Sequence, residues 1–215
     1  MSDSKIQVMR PFGPTISKVT IPEELIITLN EHIDKIILKE NKIKELDHGN
    51  RLAGNVKQEF RIENEFMKSS GFLNFLAAAS QKWIELTENK KISKFNVSSS
   101  WVVRQFQNEY NPVHYHGGHL SGVGYLKIPK NFGNTFQKNK RINYNGKLSL
   151  IHGNQMFNCN STFTIEPKVG DFYFFPNYLM HIVYPFYDTN EERRSISFNA
   201  TIDESIYNTY NLSDS

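Results

Sequence analysis

Two histidines separated by one residue, His114 and His116, lie in Asn111-Pro112-Val113-His114-Tyr115-His116. A Gly117-Gly118 pair follows, and then an alternating run from Leu120 to Leu126 that reads as a β-strand. Imidazole is the commonest side-chain ligand for a transition metal, and a barrel protein presents such ligands at strand mouths. We read this stretch as half of an iron site. The other half is expected far along the chain, because neighbouring barrel strands are distant in sequence and a mononuclear site needs at least three protein donors. His181 meets that need, as a single histidine on a short apolar element after the Pro176-Asn177 turn. Beyond it, alternation in Arg193-Arg194-Ser195-Ile196-Ser197-Phe198-Asn199-Ala200 puts Arg193, Ser195, Ser197 and Asn199 on one face. An arginine and a hydroxyl two residues apart on an inward face can clamp a carboxylate. Arg194 shares the opposite face with Ile196, Phe198 and Ala200, which reads as packing against another layer.

These residues need a scaffold, and the periodicity of the chain supplies one. Pro22, Glu23 and Glu24 open a helix whose apolar stripe is Leu25, Leu29, Ile33, Ile36 and Ile37. A second helix carries Phe72, Phe75, Leu76, Ala79, Trp83 and Leu86 at helical spacing, a stripe predicted to be core. Residues 6 to 21 hold short alternating pieces broken by Pro11, Gly13 and Pro14, with Lys18 to Ile21 reading as a strand. Residues 47 to 55 are polar and glycine-rich, and read first as a plain connector, second as a loop reaching over a site.

From Lys94 the period changes to two. Val97, Ser99, Trp101, Val103 and Gln105 share one face, and strand signals recur at 122–128, 147–152, 161–165, 172–175 and 195–200 between Gly, Asn, Asp and Pro turns. Helices followed by many short strands predict a mainly β fold with N-terminal helices, the helices packed on a β-sandwich or jelly roll. Without repeat, low-complexity tract or linker, we expect one domain over 1–215, with helical support in 1–93 and a β core in 94–205.

Composition narrows the classes. The chain has 215 residues, enough to bury a substantial core. Its one cysteine, Cys159, excludes an internal disulfide and a cysteine-based zinc cluster, suits a reducing cytoplasm, and is expected to be a small packing residue. The net charge of +3 is spread along the chain, which points away from a nucleic-acid partner. No apolar run is long enough to span a membrane, and the N-terminus lacks an apolar signal core, so a cytoplasmic protein is expected. Sixteen Phe and ten Tyr suit an aromatic β-rich core. His32, His48 and His152 read as packed or solvent-facing.

At the segments 111–116, 121–126, 170–181 and 193–199 the chain resembles the 2-oxoglutarate and Fe(II)-dependent oxygenases, in the prolyl-hydroxylase-like branch found in bacteria and their phages. The likeness runs from 97 to 200, with Leu52-Ala53-Gly54 matching less specifically and Gly133-Asn134-Thr135-Phe136 resembling a loop beside the iron. The resemblance implies a double-stranded β-helix of the cupin-like jelly-roll kind. It also implies Fe(II), 2-oxoglutarate and O2, with a small-molecule or peptidyl substrate, proline being the family-level expectation, and succinate and carbon dioxide as coproducts. His114 and His181 match the first and last iron ligands, and Arg193 with Ser195 matches the clamp on the distal carboxylate of 2-oxoglutarate. Tyr125 matches a tyrosine that hydrogen-bonds the same carboxylate, and Asn199 would line the pocket.

The family's usual second ligand is a carboxylate, and the matching position here is His116. Three imidazoles still leave three open positions, but they suit Fe(II), Ni(II), Cu(II) and Zn(II) alike and give one negative charge less. His119 is the rival second ligand, set beyond the glycine bend; Asp171 reads as turn chemistry and Glu109 as a loop residue. A cupin-like metal enzyme without 2-oxoglutarate, or a non-catalytic jelly roll, stays open as the alternative.

Overall fold

The computed structural model describes residues 13–137 and 139–208. The part of the alternating N-terminal stretch before Gly13, with Pro11, lies outside the described residues. Among the described residues ten strands form two antiparallel sheets: β1 (Ser17–Thr20), β2 (Gln58–Arg61), β3 (Phe95–Gln105), β4 (Asn111–His114), β5 (Leu120–Lys127), β6 (Leu148–Ile151), β7 (Thr162–Ile165), β8 (Asp171–Pro176), β9 (Met180–Val183) and β10 (Arg193–Ile202). The larger sheet runs β1-β8-β5-β10-β3-β2 and the smaller β4-β9-β6-β7. The mainly β jelly-roll expectation is therefore met. β1 and β2, from the part of the chain read as helical support, form the two edges of the larger sheet.

Helices α1 (Glu23–Ile37) and α4 (Phe72–Glu88) cover the outer face of that sheet, with the shorter α2 (Glu40–Leu46), α3 (Asn64–Ser69) and α5 (Glu204–Tyr207) beside them. α1 forms where the sequence predicts it, with Pro22 ahead of its first turn and Leu25, Leu29, Ile33 and Ile36 buried. Those side chains join Phe72, Leu76 and Trp83 of α4 against Val102, Phe172, Phe174, Ile196 and Phe198 of the sheet. A second, smaller apolar cluster lies between the sheets and includes Tyr125, Leu148, Leu150, Ile165, Phe175 and Leu179. Two expectations, one from helical spacing and one from residue type, are corrected. Leu86 is 73% exposed because the stripe of α4 turns through Ser80 and Ile84 instead, and Cys159 is exposed in the β6–β7 connection, where no second layer covers it. Among the described residues no helix is long and apolar enough to cross a membrane.

The two layers are tied at Arg194. Its guanidinium, 1% exposed, reaches Asp34 at 2.7 Å and Asn30 at 2.9 Å on α1, and Glu192 at 2.7 Å on its own strand end. Arg104 of β3 donates to the same Glu192 oxygen, also at 2.7 Å, so one carboxylate is shared by two arginines, whose hydrogen bonds and charge lower its pKa against the opposing effect of burial. Removing one partner of such a network leaves another buried without it. Arg194→Ala is expected to lower the unfolding free energy by about 3 kcal/mol, read by urea denaturation at neutral pH.

Candidate metal centre

Antiparallel pairing of β4 with β9 sets His114 opposite His181, their rings 4.2 Å apart between centroids. Pro112 is tolerated in β4 because β4 is a sheet edge and needs no amide there. His116 follows the end of the strand, held on both sides by Asn177 of the β8–β9 turn: the His116 amide donates to the Asn177 carbonyl at 3.0 Å, and Asn177 Nδ2 donates to the His116 carbonyl at 3.0 Å. The His116 ring lies against Trp101 of β3. One potential ligand atom from each of the three imidazoles falls within 4.8 Å of the others, the one group of this kind among the described residues.

The protonation pattern suits a cation. His114 Nδ1 lies 2.7 Å from the Pro112 carbonyl and His181 Nδ1 lies 2.9 Å from the Leu179 carbonyl. A carbonyl only accepts, so both Nδ1 atoms carry the proton and both Nε2 atoms present a lone pair. Burial and the neighbouring rings push His116 down to about 3 and His181 down to about 4, so both are neutral across physiological pH. His116 Nε2 and His181 Nε2 are 3.1 Å apart. Two nitrogens each about 2.1 Å from one ion at a right angle would be about 3.0 Å apart. The donor set thus fits a first-row divalent metal.

His119 is turned away from the group. Gly118, at a φ of +94°, bends the chain, and His119 Nδ1 accepts the Ile202 amide at 3.0 Å while its ring stacks on Tyr207. Glu109 and Asp171 serve elsewhere, the first accepting the Phe106 amide at 2.9 Å and the second pairing with Lys18 at 2.8 Å.

A small cavity between the sheets, about 40 Å³ in volume, is lined by the three histidines, Arg193, Ser195 and Ser197. Arg193 is 1% exposed, and of its donors Nη1 reaches Gln105 at 3.2 Å while Nε and Nη2 have no partner. Tyr125 is fully buried beside it but outside the cavity lining, its ring centroid 5.0 Å from the guanidinium carbon and its hydroxyl, which interacts with that guanidinium, short of a well-formed hydrogen bond. Burial raises the Tyr125 pKa to about 12, so the phenol is a donor. Unpaired donors on a buried cation are costly, and a carboxylate would satisfy them. Asn199 accepts from Ser121 at 2.8 Å and lies outside the cavity lining. The 133–136 loop also stays outside it, with Phe136 on Tyr187.

Several cavity residues were not singled out as site residues in the sequence. The 47–55 loop, read first as a connector, brings Leu52 and Ala53 to the cavity wall. Glu59 of β2 and Trp101 of β3 also line it. Alternation along β3 had placed Trp101 and Val103 on one face, which is a sufficient signal for Trp101; β2 is too short to give one for Glu59.

A family model described as "Putative 2OG-Fe(II) oxygenase" matches residues 99–199. No curated protein matches the chain. Among solved structures the fold is similar to a viral collagen prolyl hydroxylase from Paramecium Bursaria Chlorella virus-1 bound to 2-oxoglutarate (16% identity, 86% of this chain and 94% of that one, TM-score 0.54). It is also similar to an α-ketoglutarate-dependent epimerase of nogalamycin biosynthesis (13%, 86% and 76%, 0.57). A third is a prolyl hydroxylase with a hypoxia-inducible-factor peptide from Trichoplax adhaerens (15%, 93% and 87%, 0.50). Residues 99–199, which supply the three histidines and the Arg193–Asn199 part of β10, match the 2-oxoglutarate and Fe(II)-dependent oxygenases, oxidoreductases that use Fe(II), 2-oxoglutarate and O2.

Proposed function

We propose that the protein hydroxylates an unactivated C–H bond of a peptidyl substrate, prolyl by analogy with the neighbouring hydroxylases, with His114, His116 and His181 holding the iron and Arg193 seating 2-oxoglutarate. The observation that carries this reading is the buried Arg193, whose Nε and Nη2 are unpartnered in the same cavity as three neutral imidazoles. A metal protein with no use for a dicarboxylate has no reason to bury that charge unpaired, which separates this reading from a cupin that works without 2-oxoglutarate.

Bound iron with 2-oxoglutarate and dioxygen supplies the oxidising chemistry, with succinate and carbon dioxide as coproducts. The chain's own part is placement and exclusion. Arg193 donates two N–H bonds to the distal carboxylate and the Tyr125 hydroxyl offers a third, fixing one end of the cosubstrate. Ser195, 3% exposed on the same strand face, adds its hydroxyl. The Leu179 and Pro112 carbonyls hold His181 and His114 in the tautomer that keeps Nε2 free. Val103, Leu148 and Phe175 keep the walls apolar, which limits water near the reacting atoms.

Metal-reconstituted wild-type protein should release succinate slowly from 2-oxoglutarate without added substrate. His181→Ala should abolish that turnover, and Arg193→Ala should raise the 2-oxoglutarate concentration needed by about tenfold or more, in line with loss of a charge-assisted pair. Absence of turnover in all three, with no change in the iron spectrum on adding 2-oxoglutarate anaerobically, would remove the reading. In a separate melting experiment with Mn(II), 2-oxoglutarate should raise the Tm of wild type and leave Arg193→Met unmoved. Equal shifts in both proteins would place the cosubstrate elsewhere.

A further inference from the structure

The histidine cluster contains no carboxylate, yet one stands in the wall of the same cavity. Glu59, in β2, is 3% exposed. It pairs across β3 with Val103, which in turn stands opposite Ser195 of β10, so these three cavity-lining residues form one row across the sheet. Its carboxyl has one hydrogen bond, from Asn111 Nδ2 at 3.4 Å, and no cationic partner among the described residues. Asn111 belongs to β4, so this contact bridges the edge strands of the two sheets.

The position is built. A Cβ added at Gly54 would lie 2.5 Å from Glu59 Oε1 and 2.9 Å from Asn111 Nδ2, so a larger residue would have to push the ends of both side chains out of their present place. Asn55 next to it is tied to Tyr110 by two backbone hydrogen bonds, of 2.8 and 3.4 Å. The electrostatics around Glu59 are unfavourable for a lone carboxyl. Burial first, and then the like charges of Asp47 and Glu109, raise it to about 7. A glutamine would accept the same bond from Asn111 with no charge to bury, so fold stability does not account for a glutamate here.

A cation in the cavity does account for it. Three neutral imidazoles bring no negative charge to a divalent ion. With that ion, Arg193 and a dicarboxylate in place, the cavity holds one positive charge in excess, and an ionised Glu59 cancels it. We propose that Glu59 is the charge-balancing carboxylate of the metal centre, held in the cavity wall by Asn111 and Gly54 and acting across the cavity in place of the carboxylate that His116 leaves out of the ligand set. This rests on the metal-centre reading above. Glu59 is a positioning residue in this scheme, since its carboxylate lies outside the ligand group.

The test is the affinity of metal-free protein for Mn(II) at pH 8, by calorimetric titration of wild type, Glu59→Gln and His181→Ala, with the Tm of each metal-free protein. Glu59→Gln should weaken Mn(II) binding about tenfold or more, while its metal-free form melts no lower than wild type. Equal Mn(II) affinity in wild type and Glu59→Gln would overturn the proposal alone. A weaker affinity with a lower metal-free Tm would also overturn it, by showing a structural part for the side chain. Wild type that binds no Mn(II), or binds it as tightly as His181→Ala, would overturn the metal-centre reading and this proposal with it.

Discussion

The pairing of β4 with β9 places His114 directly opposite His181, and a slip of one residue would turn one of the two imidazoles to the far side of its sheet. Much else in the molecule maintains that register. β6 holds β9 from the other side with Leu150 opposite His181, and Phe175 packs edge-on against the His181 ring. The β8–β9 turn then reaches back through Asn177 to fix His116, which has no strand of its own. The cluster is thus assembled from an edge strand, its neighbour and one clamp, and the larger sheet closes over it.

The two consecutive arginines show how one strand divides its work. Both are 1% exposed, yet Arg194 faces the helices and is satisfied by Asp34, Asn30 and Glu192, whereas Arg193 faces the cavity with two donors left over. Burial costs each of them the solvation of a guanidinium. On the outer face the fold itself returns that cost. On the inner face it does not, so the two neighbouring side chains differ in meaning although their types and burial agree.

Much of this was legible in the sequence, because alternation encodes faces. It separated Arg193 from Arg194, put Trp101 with Val103, and marked His114, His116 and His181 as one group through their residue types. What local pattern does not encode is which strands become neighbours. The polar, glycine-rich 47–55 loop looks like a connector until the Asn55–Tyr110 pairing lays it over the cavity. Glu59 sits in a four-residue strand with charges at both ends of its alternation, so nothing near it says that the facing sheet will bury it. Leu86 and Cys159 fail in the opposite sense, apolar by type but left outside because no layer happens to cover them.

His116 differs from the other two imidazoles in what supports it. His114 and His181 are strand residues, bound into ladders, while the segment carrying His116 and the glycine pair depends on a few contacts with one turn and with β10. Such a segment opens at lower free energy than the sheets around it. Amide exchange in 115–118 is therefore expected to be faster than in β4 and β9, although the ring of His116 is itself packed on Trp101.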